Sequence, residues 1–321
     1  MTVLDVRTAA QQAQDVLDEV ERAVVGKRDV LELVLLGILA GGHVLLEDLP
    51  GLGKTLLARS FATALGLSFR RVQFTPDLLP ADVTGSYLYN QRDSTFEFRA
   101  GPVFTQVLLA DEVNRTPPKT QAALLEAMGE GQVTVEGETR LLPQPFVVLA
   151  TDNPVEYEGT YPLPEAQLDR FVLRTSLGYL GRADEVALLE RRLERRTDAV
   201  ALRGVTDAAG VLELRAALED VHVAPELLEY AVALVTATRE HTQTLVGASP
   251  RGALAVVQLA RGRALVRGRP HVLPDDLQAV AVPALAHRLV LRPELWAQAV
   301  RPEDVVAEVL GAVATPPTRP A

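Results

Sequence analysis

Cysteine is missing from the chain altogether. Its absence excludes disulfide bonds, zinc–thiolate centres and thiol nucleophiles. An excess of positive charge is missing as well. The formal net charge is −10, so no global basic field draws in nucleic acid or anionic lipid, although a local basic stripe stays open. No apolar run is long enough to span a bilayer: the longest, residues 33–46, is broken by Gly41, Gly42 and His43. The N-terminal stretch, residues 1–24, is acidic and helical in period. It lacks the basic start and apolar block of a signal peptide, so a cytoplasmic protein is expected. What remains is ordinary for a globular chain: 321 residues, 48% hydrophobic and 23% charged, enough for two domains and a sizeable core.

The chain is organised around HVLLEDLPGLGKT, residues 43–55. Val44, Leu45 and Leu46 read as a short buried strand, and Pro50, Gly51 and Gly53 punctuate a turn. Lys54, Thr55 and a helical stretch to Leu65 follow, closed by Gly66. Strand, glycine loop, Lys-Thr and helix form the arrangement that cradles a nucleoside triphosphate: loop N–H groups and the helix N-terminus face the phosphates. Lys54 would reach the β- and γ-phosphates, and the Thr55 hydroxyl would ligate Mg²⁺. The loop pattern wants glycine at position 48, where this chain has Asp48. A carboxylate there repels phosphate unless it points away.

In chain order, the periodicity predicts helices over 8–21 and 29–40, then the loop strand and helix, then a strand over 69–74. Residues 76–82 fit one helical turn. A hairpin pairs 85–89 with 95–99, and Gly101 to Phe104 opens another short helix. A buried strand over 107–110 ends in Asp111-Glu112. A helix over 117–128, a second hairpin around Gly137 and a buried strand over 146–150 follow. Alternating strands and helices imply a parallel sheet with ligands at the carboxyl ends of its strands. Beyond about 177 the signals are helical, over 182–196, 206–218, 225–241, 251–267, 274–287 and 302–310, and the proline-rich residues 312–321 read as a disordered tail.

Four later motifs bear on chemistry. VLLADEVNR supplies Asp111 to hold Mg²⁺ and Glu112 to orient and deprotonate the attacking water; alone, such a pair is as often a solvated loop. FVVLATDNP ends a strand at Asn153, either a turn residue before proline or a neutral amide on the water or γ-phosphate. LPEAQLDRF offers Arg170, either a finger for a neighbouring subunit's site or the partner of Asp169 or Glu165 in an ion pair. In GASPRGA, Ser249-Pro250 caps a helix whose first turn carries Arg251, a candidate γ-phosphate contact.

Together, HVLLEDLPGLGKT, LLADEVNRTPPKTQAALLEAMGEGQVTV, LATDNPVEYEGTYPLPEAQLDRF and GASPRG resemble the MoxR family of AAA+ ATPases, from about Val24 to the last helices. The resemblance implies an α/β fold: a P-loop NTPase αβα sandwich with a parallel sheet over 1–177, an insertion in its second helix at about 76–102, and a small all-helical lid over 178–311. It implies ATP and Mg²⁺ as cofactors. The loop backbone of Pro50, Gly51, Leu52, Gly53 and Leu56 would surround the phosphates, with Lys54 and Thr55. Asp111 would bind the metal and Glu112 activate water. Asn153 looks like the first sensor, Arg170 like the finger and Arg251 like the second sensor. Val25 and Gly26 resemble the adenine-side box, although Lys27 and Asp152 stand where the family usually has glutamine. Relatives assemble as ring hexamers and act as chaperone-like remodellers of protein complexes, often beside a protein with a von Willebrand factor A domain. A metal-chelatase-like motor subunit and a helicase-related nucleic-acid motor stay open as alternatives. Negative net charge and the lack of an appended basic or zinc module speak against nucleic acid. A nucleotide-gated scaffold without turnover is the non-enzyme rival, against which Asp111-Glu112 and Arg170 speak.

Overall fold

The computed structural model describes residues 4–153, 159–298 and 300–317. Helix α1 (Val6–Glu21) opens the chain, its N-cap Asp5 accepting from the Arg7 and Thr8 amides at 3.0 and 3.1 Å. Helix α2 (Arg28–Leu39) precedes β1 (His43–Glu47) and α3 (Lys54–Ala64). The last of these starts before the apolar pattern does. Gly53 takes a left-handed φ of 87°, which turns the chain so that Lys54 is already helical.

The chain continues through β2 (Phe69–Gln73), the one-turn α4 (Pro80–Thr84) and the hairpin of β3 (Gly85–Asn90) with β4 (Thr95–Ala100). No helix opens at Gly101. The chain turns back there onto the hairpin base, where a β-carbon on Gly101 would lie 2.3 Å from the Val83 carbonyl oxygen, and Val103 is buried. Next come β5 (Val107–Asp111), α5 (Pro118–Glu130), a hairpin of β6 (Gln132–Val135) and β7 (Glu138–Leu141), β8 (Val147–Asp152), the short α6 (Glu165–Leu168) and β9 (Phe171–Thr175).

The main sheet runs β2-β5-β8-β1-β9, every pairing parallel. Its three central strands, β5, β8 and β1, are buried along most of their length, as strands covered by helices on each side require, whereas the edge strand β2 is largely exposed. The period of two then sorts side chains between two cores. Val44, Leu46, Leu109 and Leu149 face one, with α1, α2 and α3; Leu45, Leu108, Ala110 and Val148 face the other, with Leu124 and Leu125 of α5. Because β1 lies between β8 and β9, its glycine loop emerges beside the carboxyl ends of β8 and β5. That edge is where ligands bind in open α/β sheets.

The remainder is α7 (Arg182–Arg195), α8 (Ala208–Glu219), α9 (Pro225–Glu240), β10 (Thr244–Val246), α10 (Pro250–Val266), α11 (Pro274–Leu285), β11 (Val290–Leu291) and α12 (Pro302–Ala312). Four of these helices begin on proline, whose missing N–H is one that a first turn leaves unpaired anyway. The small antiparallel pair β10–β11 is a departure from an all-helical lid. Thr315 accepts from Gln278 Nε2 at 2.9 Å. Of the expected tail, residues 318–321 lie outside the described residues, as do 154–158 of the Asn153 motif. Among the described residues, no helix is long and apolar enough to cross a membrane.

Candidate nucleotide site at the carboxyl edge of the sheet

A cleft of about 250 Å³ lies where the glycine loop meets β2, β5 and β8. Its walls are Pro50, Gly51, Gly53, Lys54 and Thr55 on one side, and Arg71, Asp111, Glu112 and Asn153 on the other. Gly51 and Gly53 hold φ of 83° and 87°, with nothing within 4 Å of where a β-carbon would stand. Conformation, not space, therefore demands glycine there, and the loop keeps its backbone open to a ligand. Leu52 and Leu56 belong to the same loop and first helical turn, with Leu56 exposed.

Asp48 points away from the cleft. Its buried carboxylate accepts from Ser176 Oγ at 2.8 Å, from the Gly178 amide at 3.1 Å and from the Leu177 amide. It thus ties the loop to the segment after β9, while its carbonyl accepts Lys54 Nζ at 2.7 Å. Burial pushes the Lys54 ammonium below its usual range, and the charges of Asp48, Asp111, Glu112 and Asp152 pull it back up. Asp152, at the end of β8, is raised by burial and by Glu47 beside it.

Asp111 and Glu112 share a buried hydroxyl. Thr151 Oγ1 donates to Asp111 Oδ1 at 2.6 Å and accepts from the Glu112 amide at 2.8 Å. Glu112 has a φ of 57°, a left-handed conformation that costs a non-glycine residue on the order of 1–3 kcal/mol and that gathers at functional sites. It bends the chain out of β5 so that the Glu112 side chain enters the cleft. Glu112 Oε2 accepts from Gln73 Nε2 at 2.7 Å and from Arg115 Nη1 at 3.0 Å. The other oxygen of Asp111, Oδ2, accepts from Arg71 Nε at 3.0 Å and Nη2 at 2.6 Å. Asn153 is buried at the end of β8, its carbonyl accepting Asn114 Nδ2 at 3.2 Å.

Arg170, expected as the finger, and Arg251, expected as the second sensor of its own or a neighbour's nucleotide, lie elsewhere. Arg170 donates to the Leu125 carbonyl, packed so close to α5 that a β-carbon on Gly129 would overlap its guanidinium. It pairs with neither Asp169 nor Glu165 among the described contacts. Asp169 instead takes the buried Arg288 guanidinium and the Ser249 hydroxyl at 3.0 Å, with Arg251 Nη1 4.0 Å away. Val25 is buried in the α1–α2 turn. A β-carbon on Gly26 would stand 2.4 Å from the Asp184 carboxyl carbon, so the turn abuts the first turn of α7. Neither Val25 nor Gly26 lines the cleft. Sequence reasoning missed Thr151, Arg71 and Gln73. The available signal was alternation: a strand with Arg71 and Gln73 two apart turns both to the same side.

The donor set suits a nucleotide with a hard cation. One hydroxyl (Thr55) and one carboxylate (Asp111) face a cleft whose loop can hold phosphates. No cluster of three metal-ligating side chains exists among the described residues. Mg²⁺ typically takes one or two protein ligands and completes its octahedron with phosphate oxygens and water.

Comparison with known proteins agrees with this geometry. A model of the ATPase family associated with various cellular activities (AAA) matches residues 43–173, and a model of the AAA lid domain matches residues 236–309. The uncharacterised protein YeaC of Bacillus subtilis is 46% identical over 95% of this chain and 95% of its own. Chaperone MoxR1 of Mycobacterium tuberculosis is 43% identical, covering 93% of this chain and 81% of its own. A Cytophaga hutchinsonii protein solved as a candidate ATPase superposes with a TM-score of 0.90 at 41% identity, covering 97% of each chain. Proteins named MoxR from two further bacteria match at 33% and 31% identity, and on these grounds the chain belongs to the MoxR family of AAA+ ATPases.

Proposed function

We propose that the chain hydrolyses ATP with Mg²⁺ at a seam between two copies of itself, as a subunit of a hexameric ring. One observation carries this reading: the catalytic parts are divided. A single cleft gathers Lys54, Thr55, Asp111, Glu112 and Asn153, whereas Arg170, held on the Leu125 carbonyl, and Arg251, 4.0 Å from Asp169, line no part of it. A second copy supplies what the cleft lacks, so Arg251 acts on a neighbour's nucleotide together with Arg170.

In this reading Lys54 holds the outer phosphates, and Thr55 and Asp111 hold Mg²⁺, which when bound neutralises charge on the phosphoryl oxygens. Glu112 takes a proton from the attacking water, for which Gln73 and Arg115 must release its carboxylate. Asn153 orients that water. A finger contributed across a seam is worth about 10³–10⁵ in rate. Hydrolysis then drives chaperone-like remodelling of a client complex, with a von Willebrand factor A domain protein as companion. Client contact falls to the β3–β4 hairpin, where the tilted rings of Tyr89 and Phe96, 53% and 69% exposed, meet with centroids 5.2 Å apart.

Mixing two dead variants tests the seam. Glu112→Gln lacks the base and Arg170→Ala lacks the finger, so each alone is inactive. Mixed in equal amounts, they form seams where an intact base meets an intact finger, and about a quarter of wild-type phosphate release returns under random assortment. No recovery in a mixture that assembles means that the two groups do not meet across copies.

A further inference from the structure

Among the described residues, Arg71 is the one basic residue lining the cleft besides Lys54, and the ATPase reading gives it no task. It lies on β2, opposite Leu109 of β5, and grips Asp111 Oδ2 with two nitrogens, at 3.0 and 2.6 Å. The second Asp111 oxygen already receives the Thr151 hydroxyl at 2.6 Å. Both oxygens of the carboxylate that would hold Mg²⁺ are therefore engaged by protein donors. The same Nη2 also donates to Gln73 Oε1 at 2.8 Å, and Gln73 Nε2 holds Glu112. One guanidinium thus anchors a chain of contacts that runs through both cleft carboxylates.

A role in stability alone does not account for this placement. The Arg71 side chain is 47% exposed against 11% for Asp111, and half-exposed ion pairs contribute little to folding. What the exposure provides is a way out: the long side chain can leave the cleft without disturbing the core. We propose that Arg71 is a place-holding cation, which grips Asp111 until the divalent cation enters with the nucleotide and displaces it. The inference rests on the Mg²⁺–nucleotide reading of the cleft. Arg71 then sets the metal concentration at which the site loads, and its departure frees Gln73 to loosen Glu112.

Mn²⁺ serves as the probe, titrated into the full chain saturated with ADP while free Mn²⁺ is followed by electron paramagnetic resonance. Removing a two-pronged donor from the carboxylate should tighten Mn²⁺ binding roughly tenfold in Arg71→Gln. Arg71→Lys keeps the charge but loses the planar fork, so it should shift the same way by a smaller factor. Unchanged or weaker binding in Arg71→Gln overturns the proposal. So does a lysine variant equal to wild type, which would reduce the effect to net charge. Should wild type take up no Mn²⁺ with ADP, the metal–nucleotide reading falls along with it.

Discussion

Asp48 stands where a phosphate loop commonly has glycine, yet its carboxylate works on the far side of the loop, holding the amides of Leu177 and Gly178 and the Ser176 hydroxyl. Restoring the glycine should therefore harm the fold and spare the site. Asp48→Gly is expected to lose on the order of 3 kcal/mol in chemical denaturation, with ATP affinity in a fluorescent-nucleotide titration unchanged within about twofold. Two buried histidines make a second single-residue claim. His43 accepts the Val148 amide on Nδ1 at 3.0 Å and donates Nε2 to the Met128 carbonyl at 2.9 Å, a neutral ring. Burial lowers its pKa to about 4, and burial beside Arg288 lowers that of His287 to about 3. Each folded value is below the ordinary 6.5, so acid protonates the unfolded chain first and stability falls as pH drops through the window beneath 6.5. The slope is about 1.4 kcal/mol per pH unit for each ring. Denaturation measured from pH 7 to 5 should be flatter in His43→Gln and in His287→Gln than in wild type, even though both variants start less stable.

Among the elements, those legible in the sequence carried their own signal. Helices that start on proline, two strands of unbroken apolar residues and a loop with glycines at 51 and 53 are local patterns, and each forms where the pattern puts it. The missed contacts join residues far apart in the chain. Asp169 looked like a neighbour for Arg170, but its partner Arg288 arrives from a turn 119 residues on, and Ser249 from the start of α10. Spacing cannot reveal such a junction, which exists only once the lid has packed on β9. Likewise β2 read as a plain strand, and only its pairing with β5 brings Arg71 and Gln73 onto the Asp111-Glu112 pair. The Asp169 junction has a measurable weight. Arg288 is 3% exposed, so Asp169→Ala strands a buried cation and should cost about 3–5 kcal/mol. Ser249→Ala removes only a helix cap and one hydroxyl contact, for about 1 kcal/mol. Thermal melts of the two variants rank them; equal losses would deny Asp169 its place as the anchor between α6 and α10.

For the whole molecule, the proposed site is divided: the charges assigned to cutting a triphosphate lie in the chain but not in one place. The cleft offers Lys54 and the Asp111-Glu112 pair, whereas the Arg170 guanidinium lies on the Leu125 carbonyl of α5 and that of Arg251 stands 4.0 Å from Asp169. If neighbours complete each other, nucleotide must bind the assembled form better than the free chain, and by linkage ATP must strengthen assembly. Glu112→Gln should make this visible by retaining uncut ATP. At a protein concentration where the nucleotide-free chain is mostly dissociated, sedimentation velocity should find Glu112→Gln in closed rings once ATP and magnesium are saturating. Adding Arg170→Ala to the same chain removes the contact across the seam but leaves the cleft whole. The double variant should then bind ATP with the affinity of the dissociated chain and fail to assemble on it. An oligomer distribution that ignores ATP in both chains would leave the divided site without its reason.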